Sequence, residues 1–233
     1  MQNARAAEYD YAAIFTAGFR LDPSRTALVV VDMQYATGSR EHGLGRLLTE
    51  RGEAHRANER FDNIEQMLPK LQDLLAAFRD ARLPVIHVIS GATRADFADV
   101  PQHLRAFAMA TCNRVGEREH EVLDELQPQE GEPVVHKSTI SAFTSTGIET
   151  LLRALGRDQL VFTGISTNMC VDTTARDAAE RGFESLLVSD CCTAARSEYH
   201  EAALTTFARL FGRVADGHAL LSELGISGRE DMT

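Results

Sequence analysis

LVFTGISTNMCVDTTARDAAERG, residues 160–182, is the stretch that decides the fold. Its first five residues form a short apolar run of strand type. A polar turn follows, and residues 170–181 carry a helical pattern that closes at Gly182. A strand feeding a helix through a tight turn is half of a β-α-β unit.

The same alternation extends outward from this stretch. Thr26–Val31 (TALVVV) is a continuous apolar run, as expected of a strand covered on both faces. After it, Phe61, Ile64, Leu68, Leu71, Leu75 and Phe78 recur at helical spacing, and Pro69 inside that pattern predicts a kink or a late start. Residues 85–89, 133–136 and 186–189 read as further strands, and a last short one includes Val214. Helical patterns fall at 149–155 and 198–210. Regular alternation predicts an α/β fold, a doubly wound parallel sheet with right-handed crossovers and helices on both faces. No repeat or long linker divides the chain, so a single domain over residues 26–233 is expected. Residues 1–25 precede it as an extension carrying Tyr9, Tyr11, Ile14, Phe15 and Phe19. That is more apolar surface than a free tail exposes, so the extension should pack on its own domain or on a neighbouring subunit.

Composition narrows the partners. The 233 residues carry a formal charge of −10, with acidic residues spread along the chain. No basic face is available to neutralise phosphates, so neither nucleic acid nor an anionic membrane is an expected partner. No apolar run approaches the roughly 20 residues of a membrane span. MQNARAAEYDYAAIF lacks the apolar core of a secretion signal, so a cytoplasmic location is expected. Cys112, Cys170, Cys191 and Cys192 show no CxxC spacing and should be free thiols.

In doubly wound sheets ligands bind at the carboxyl ends of the strands. Here those ends carry Asp32, Ser90, Lys137, residues 165–170 and Asp190. A cysteine in the first turn of a helix meets free N–H groups and the positive end of the dipole, which favour thiolate and could hold an oxyanion. Asp32 ends an apolar strand, where a partly desolvated carboxylate can accept a thiol proton. Lys137 ends another, and a buried ammonium needs a partner, which Asp32 would supply. Alone, Cys170 reads as a small buried hydrophobe and Asp32 as a turn former. Complementary types at three strand ends point instead to nucleophilic chemistry at neutral pH.

TALVVVDMQ, the lysine of VVHKSTISAF with Thr146 following, and TGISTNMCVDTTARDAAERGF occur in the order found in isochorismatase-like cysteine hydrolases, which the chain resembles from about residue 26 to residue 221. That superfamily includes N-carbamoylsarcosine amidase, biuret hydrolase, ureidoacrylate amidohydrolase and the nicotinamidases. The resemblance implies a six-stranded parallel sheet flanked by helices, a homodimer or homotetramer, and hydrolysis of a small linear amide or ureido substrate without a cofactor. It implies Asp32 as catalytic acid/base, Lys137 as its charged support and Cys170 as nucleophile. It further implies a cis peptide at Ile165–Ser166 and an oxyanion hole formed by the backbone N–H groups of Ser166 and Cys170.

Departures from the family pattern narrow the choice. Nicotinamidases carry an Asp-x-His metal site, whereas MQYATGSREHGLG follows Asp32 here, so no metal is implied and His42 and His87 are expected to be satisfied structural or pocket histidines. AALTTFARLFG is similar to ureidoacrylate amidohydrolases, while SDCCTAA is similar to biuret hydrolases, which place a glutamine at the position of Leu210. His136 should face away from Lys137 and pack, and Cys191 and Cys192 should be core residues. Arg40, Arg94 and Arg176 are cations that could meet a substrate carboxylate, Arg176 being better placed for a salt bridge with Asp172 or Asp177. The alternatives to a covalent amidohydrolase are an ether-cleaving enzyme using Asp32 as acid with Cys170 a spectator, and a non-catalytic binding member of the fold. Exhaustive chelation should leave hydrolytic activity unchanged; loss on chelation with recovery on adding zinc or iron would reverse the metal-free reading.

Overall fold

Every residue of β1 (Thr26–Val31) is buried in the computed structural model, which describes residues 18–226. Its alternation sorts the core. Leu28 and Val30 belong to the apolar cluster on one face, and Ala27, Val29 and Val31 to the cluster on the other. A strand covered on both faces needs neighbours on both edges as well, because each buried peptide group must be hydrogen-bonded.

Those neighbours are β2 (Val85–Ser90) and β4 (Gln159–Ile165), both parallel to β1. With β3 (Val134–Lys137), β5 (Glu184–Thr193) and β6 (Arg213–Ala215) they make a six-stranded sheet in the order β3-β2-β1-β4-β5-β6. All five pairings are parallel. The predicted doubly wound sheet is therefore present, and the order reverses between β1 and β4.

Among the described residues the α-helices longer than a single turn are α1 (Gly43–Glu50), α2 (Asn58–Asp80), α3 (Gln102–Ala110), α4 (Ile148–Ala154), α5 (Asp172–Glu180), α6 (Ser197–Leu210) and α7 (Gly217–Leu224). Buried residues of α2 and α7, such as Leu71, Leu75 and Leu220, cover the Leu28 face. Leu152 of α4, Ala175 and Ala178 of α5, and Phe207 of α6 cover the other. Burying a side chain of leucine size contributes about 1.5–3 kcal/mol, so two filled layers supply the main driving force for the fold. Among the described residues no helix is long and apolar enough to cross a membrane.

Pro69 does not delay α2. The helix begins at Asn58 and runs through Pro69, which lies on its exposed side. The buried stripe on the opposite side, including Phe61, Ile64, Leu71 and Phe78, holds the helix on the sheet and outweighs the lost N–H. Of the apolar residues in the N-terminal extension, Tyr9, Tyr11, Ile14 and Phe15 lie outside the described residues. Phe19 packs against the Leu28-face core with the Arg213 guanidinium 5.1 Å over its ring.

One glycine controls the approach of β1 to β4. Gly164 has φ +107°, and a Cβ there would stand 2.1 Å from the carbonyl oxygen of Val31. Gly164→Ala should therefore drive the two strand ends apart and lower the unfolding free energy in urea by about 2 kcal/mol or more. An unshifted unfolding midpoint would show that the strand ends tolerate separation.

Candidate active site

The reversal of strand order leaves a crevice at the carboxyl ends of β1 and β4, where the connections run to opposite faces. β1 delivers Asp32 there. Its backbone is left-handed, with φ 52°, and its N–H donates to the carbonyl of Val88 at 2.8 Å. A non-glycine residue in that region costs of order 1–3 kcal/mol and persists where the surroundings enforce it. The next turn is pinned by Gln34. Its carboxamide accepts from Ser90 N–H at 2.8 Å and donates to the carbonyls of Ser90 at 3.0 Å and His120 at 2.7 Å.

Lys137 reaches the same point from β3, across the end of β2. Its side chain has 0% exposure and Asp32 has 6%. The ammonium donates to Asp32 Oδ2 at 2.8 Å, to the Thr139 carbonyl at 3.1 Å and to Cys170 Sγ at 3.3 Å. All three donors are used, as a buried ammonium requires. Burial pushes the Lys137 pKa down, but the charge of Asp32 and the hydrogen bonds to Asp32 and Cys170 outweigh that and raise it above the ordinary lysine value. The other carboxylate oxygen, Asp32 Oδ1, is buried without a hydrogen-bond partner.

Cys170 is not in the first turn of an α-helix, as the pattern of residues 170–181 suggested. It sits in a π-helical turn, Thr167–Val171, and α5 starts only at Asp172. The wide turn is closed by Val171 N–H donating to the Ser166 carbonyl at 3.3 Å, and it is pinned by Thr167 Oγ1 lying 2.8 Å from His200 Nδ1. Nor is the thiol acidified. Burial first, and then the charge of Asp32, push it up to about 12, with Lys137 pulling the other way. Desolvation outweighs the helix-end field because a thiolate loses more hydration than one cation restores. The Ile165–Ser166 peptide is cis. Ser166 N–H makes no hydrogen bond among the described residues.

These groups open on a cavity of about 490 Å³, a size suited to a small molecule. Asp32, Lys137, Ser166 and Cys170 are among its lining residues, and Leu44, Leu48, Ile140 and Met169 are among its apolar walls. Arg60 of α2 also lines it, and sequence reading passed it over. A signal was available, since Arg60, Ile64, Met67 and Leu71 fall on one helical stripe and the others are apolar.

The remaining sequence candidates stand elsewhere. Arg40 is held by Asp62 and Glu65, Arg94 by Asp96, and Arg176 by Asp172 at 2.7 Å, so nearer carboxylates occupy all three. His42 stacks edge-on against Tyr35, and His87 is buried 3.1 Å from Glu132, with its pKa lowered by burial. His136 does not pack inside the molecule. β3 is an edge strand, and the His136 ring is exposed and stacked on His120. Cys191 and Cys192 are buried free thiols, whereas Cys112 is half-buried. Among the described residues there is no group of three or more His, Cys, Asp or Glu side chains placed to hold a metal ion.

Comparison with known proteins places this geometry in a family. Over 224 residues the chain is 31% identical to the ureidoacrylate amidohydrolase RutB of Methylobacterium radiotolerans, covering 90% of this chain and 83% of the relative. A cysteine hydrolase from Pseudomonas syringae pv. phaseolicola shares the fold with a TM-score of 0.76 at 24% identity, covering 90% of this chain and 97% of that one. N-carbamoylsarcosine amidase from Thermoplasma acidophilum superimposes with a TM-score of 0.62 at 28% identity, over 83% of this chain and 96% of that one. The isochorismatase domain model matches residues 26–219, and with that match spanning the whole sheet and every residue of the Asp32–Lys137–Cys170 cluster, the chain belongs to the isochorismatase family.

Proposed function

We propose that this hydrolase cleaves the C–N bond of a small linear amide, ureido or carbamoyl compound through a covalent intermediate on Cys170. The observation that carries the reading is the single ammonium of Lys137 joined to both Asp32 Oδ2 and Cys170 Sγ at the end of the cavity. The ureidoacrylate amidohydrolase and N-carbamoylsarcosine amidase relatives support the substrate class.

The chemistry follows from where the charges sit. Cys170 rests as a thiol, so its proton must leave as Sγ attacks the carbonyl carbon. Asp32 takes that proton, and Lys137 keeps the neighbouring charges balanced throughout. The carbonyl oxygen becomes an oxyanion held by the N–H groups of Ser166 and Cys170. The C–N bond then breaks, and Asp32 passes its proton to the departing nitrogen, which leaves as ammonia or an amine. Water next attacks the thioester or thiocarbamate and Asp32 accepts its proton; as the C–S bond breaks, Asp32 returns that proton to the departing sulfur, restoring both the thiol and the carboxylate. No cofactor enters the scheme.

Cys170→Ala should lower kcat by at least about a thousandfold while leaving the fold intact, as loss of a covalent nucleophile does. Ammonia release across a panel of ureido, carbamoyl and amide compounds measures this. Retention of more than a few per cent of activity would favour acid catalysis by Asp32 alone.

A second expectation concerns pH. A thiol held near 12 should label with iodoacetamide about tenfold faster for each pH unit from about pH 8 to pH 10, whereas a free cysteine of pKa about 8.5 gains only about fourfold over that whole interval. Lys137 pulls that value down, so in Lys137→Met the labelling of Cys170 should be slower at each pH, and kcat should drop by about a hundredfold. Labelling as fast as wild type, with an undiminished rate, would remove Lys137 from the mechanism.

A further inference from the structure

The mechanism leaves one charged group of the cavity unused. Arg60 is 8% exposed, and no carboxylate pairs with it among the described residues. Its Nε donates to the Thr37 carbonyl at 3.0 Å, and Nη1 donates to Ser166 Oγ at 2.9 Å. Nη2 makes no hydrogen bond among the described residues. Other arginines of the molecule show what this lacks: Arg25, Arg79, Arg118 and Arg213 each meet an acid. Burying an uncompensated cation is costly, and such groups are retained where something else supplies the counter-charge.

The charge count of the cavity points the same way. Asp32 is the one acid among its described lining residues, and Lys137 neutralises it. Cys170 adds no charge while it holds its proton. Arg56 at the rim has Glu53 at 3.5 Å. Arg60 is left over, so a protein with a formal charge of −10 keeps a net positive charge in its cavity. Burial holds the Arg60 pKa to about 10, and it remains a cation at neutral pH.

We propose that Arg60 binds a carboxylate of the substrate, so that the compound cleaved is a ureido or carbamoyl acid rather than a neutral amide. This rests on the reading that Cys170 attacks the carbonyl group of that compound. A guanidinium suits the task, since its planar array of N–H donors matches a carboxylate and stays charged when buried. The bond from Nη1 to Ser166 ties this anion site to the turn that carries Cys170, so the carboxylate and the scissile carbonyl would be held in one register.

The test uses the full-length protein and matched pairs that differ only in charge. With 3-ureidopropanoate and 3-ureidopropanamide, wild type should favour the acid in kcat/KM by at least about tenfold, and Arg60→Met should erase most of that ratio. Both rates should drop in the variant because Ser166 loses a donor; the ratio is what counts. Arg60→Lys, which keeps the charge but not the fork, should restore part of it. The same comparison without turnover uses iodoacetate against iodoacetamide, with labelling read separately at Cys170 and at Cys112, which does not line the cavity. The iodoacetate preference at Cys170 relative to Cys112 should fall in Arg60→Met.

Equal ratios in wild type and Arg60→Met, or a wild-type preference for the neutral compounds, would reduce Arg60 to a prop for Ser166 and overturn the proposal. Should Arg60→Met not fold, the wild-type ratios and Arg60→Lys decide in the same way. Hydrolysis of both ureido compounds without discrimination would sink the anion site and leave the hydrolase standing. An Arg60-dependent preference for iodoacetate without hydrolysis of either compound would do the reverse.

Discussion

Three donors of one fully buried ammonium meet three acceptors: Asp32 Oδ2, the Thr139 carbonyl and Cys170 Sγ. Moving either member of the Lys137–Asp32 pair out of water alone would be prohibitive, and removing one partner from such a pair typically costs about 3–5 kcal/mol. The interaction therefore constrains its surroundings. Lys137 ends an edge strand, Asp32 follows a central one, and the side chain of Lys137 must pass over the end of β2 to join them. Gly164 lets β4 come close enough to the end of β1 for the turn bearing Cys170 to complete the cluster.

The same burial decides the state in which the Cys170 thiol is held. A thiolate kept ready beside a carboxylate would add a second negative charge where only Lys137 offsets the first. The structure keeps the cysteine protonated and places a proton acceptor next to it. In the proposed mechanism charge separates only as the new C–S bond forms, when the developing oxyanion can be met by backbone donors. The left-handed backbone of Asp32 and the Gln34 carboxamide belong to the same arrangement, because they aim the acceptor without adding charge.

Outside this cluster, the charged groups of the molecule mostly neutralise one another locally. Arg40, Arg94 and Arg176 looked available for a ligand as isolated letters, yet each lies within reach of an acid close by on its own or an adjacent element. Exposed pairs of that kind add little stability, typically below about 1 kcal/mol, but they remove cations from competition for a ligand. Arg60 escapes this neutralisation because its helical stripe turns it inward.

The local patterns of the chain determined a great deal. Period-2 and continuous apolar runs define where β1, β2, β4 and β5 lie, since a strand covered on both faces tolerates few polar residues, and their alternation with helices dictates parallel pairing. The strand ends pointed to Asp32, Lys137 and Cys170, because chemistry in such sheets collects at carboxyl ends. What the sequence could not determine depends on neighbours distant along the chain. Whether Pro69 interrupts α2 was decided by the packing of Phe61, Ile64 and Leu71 on the sheet. Whether His136 is inside or outside was decided by β3 being an edge strand. The thiol state of Cys170, and the burial of Arg60 with no acid beside it among the described residues, depend on everything packed around a group and are written in no single stretch of residues.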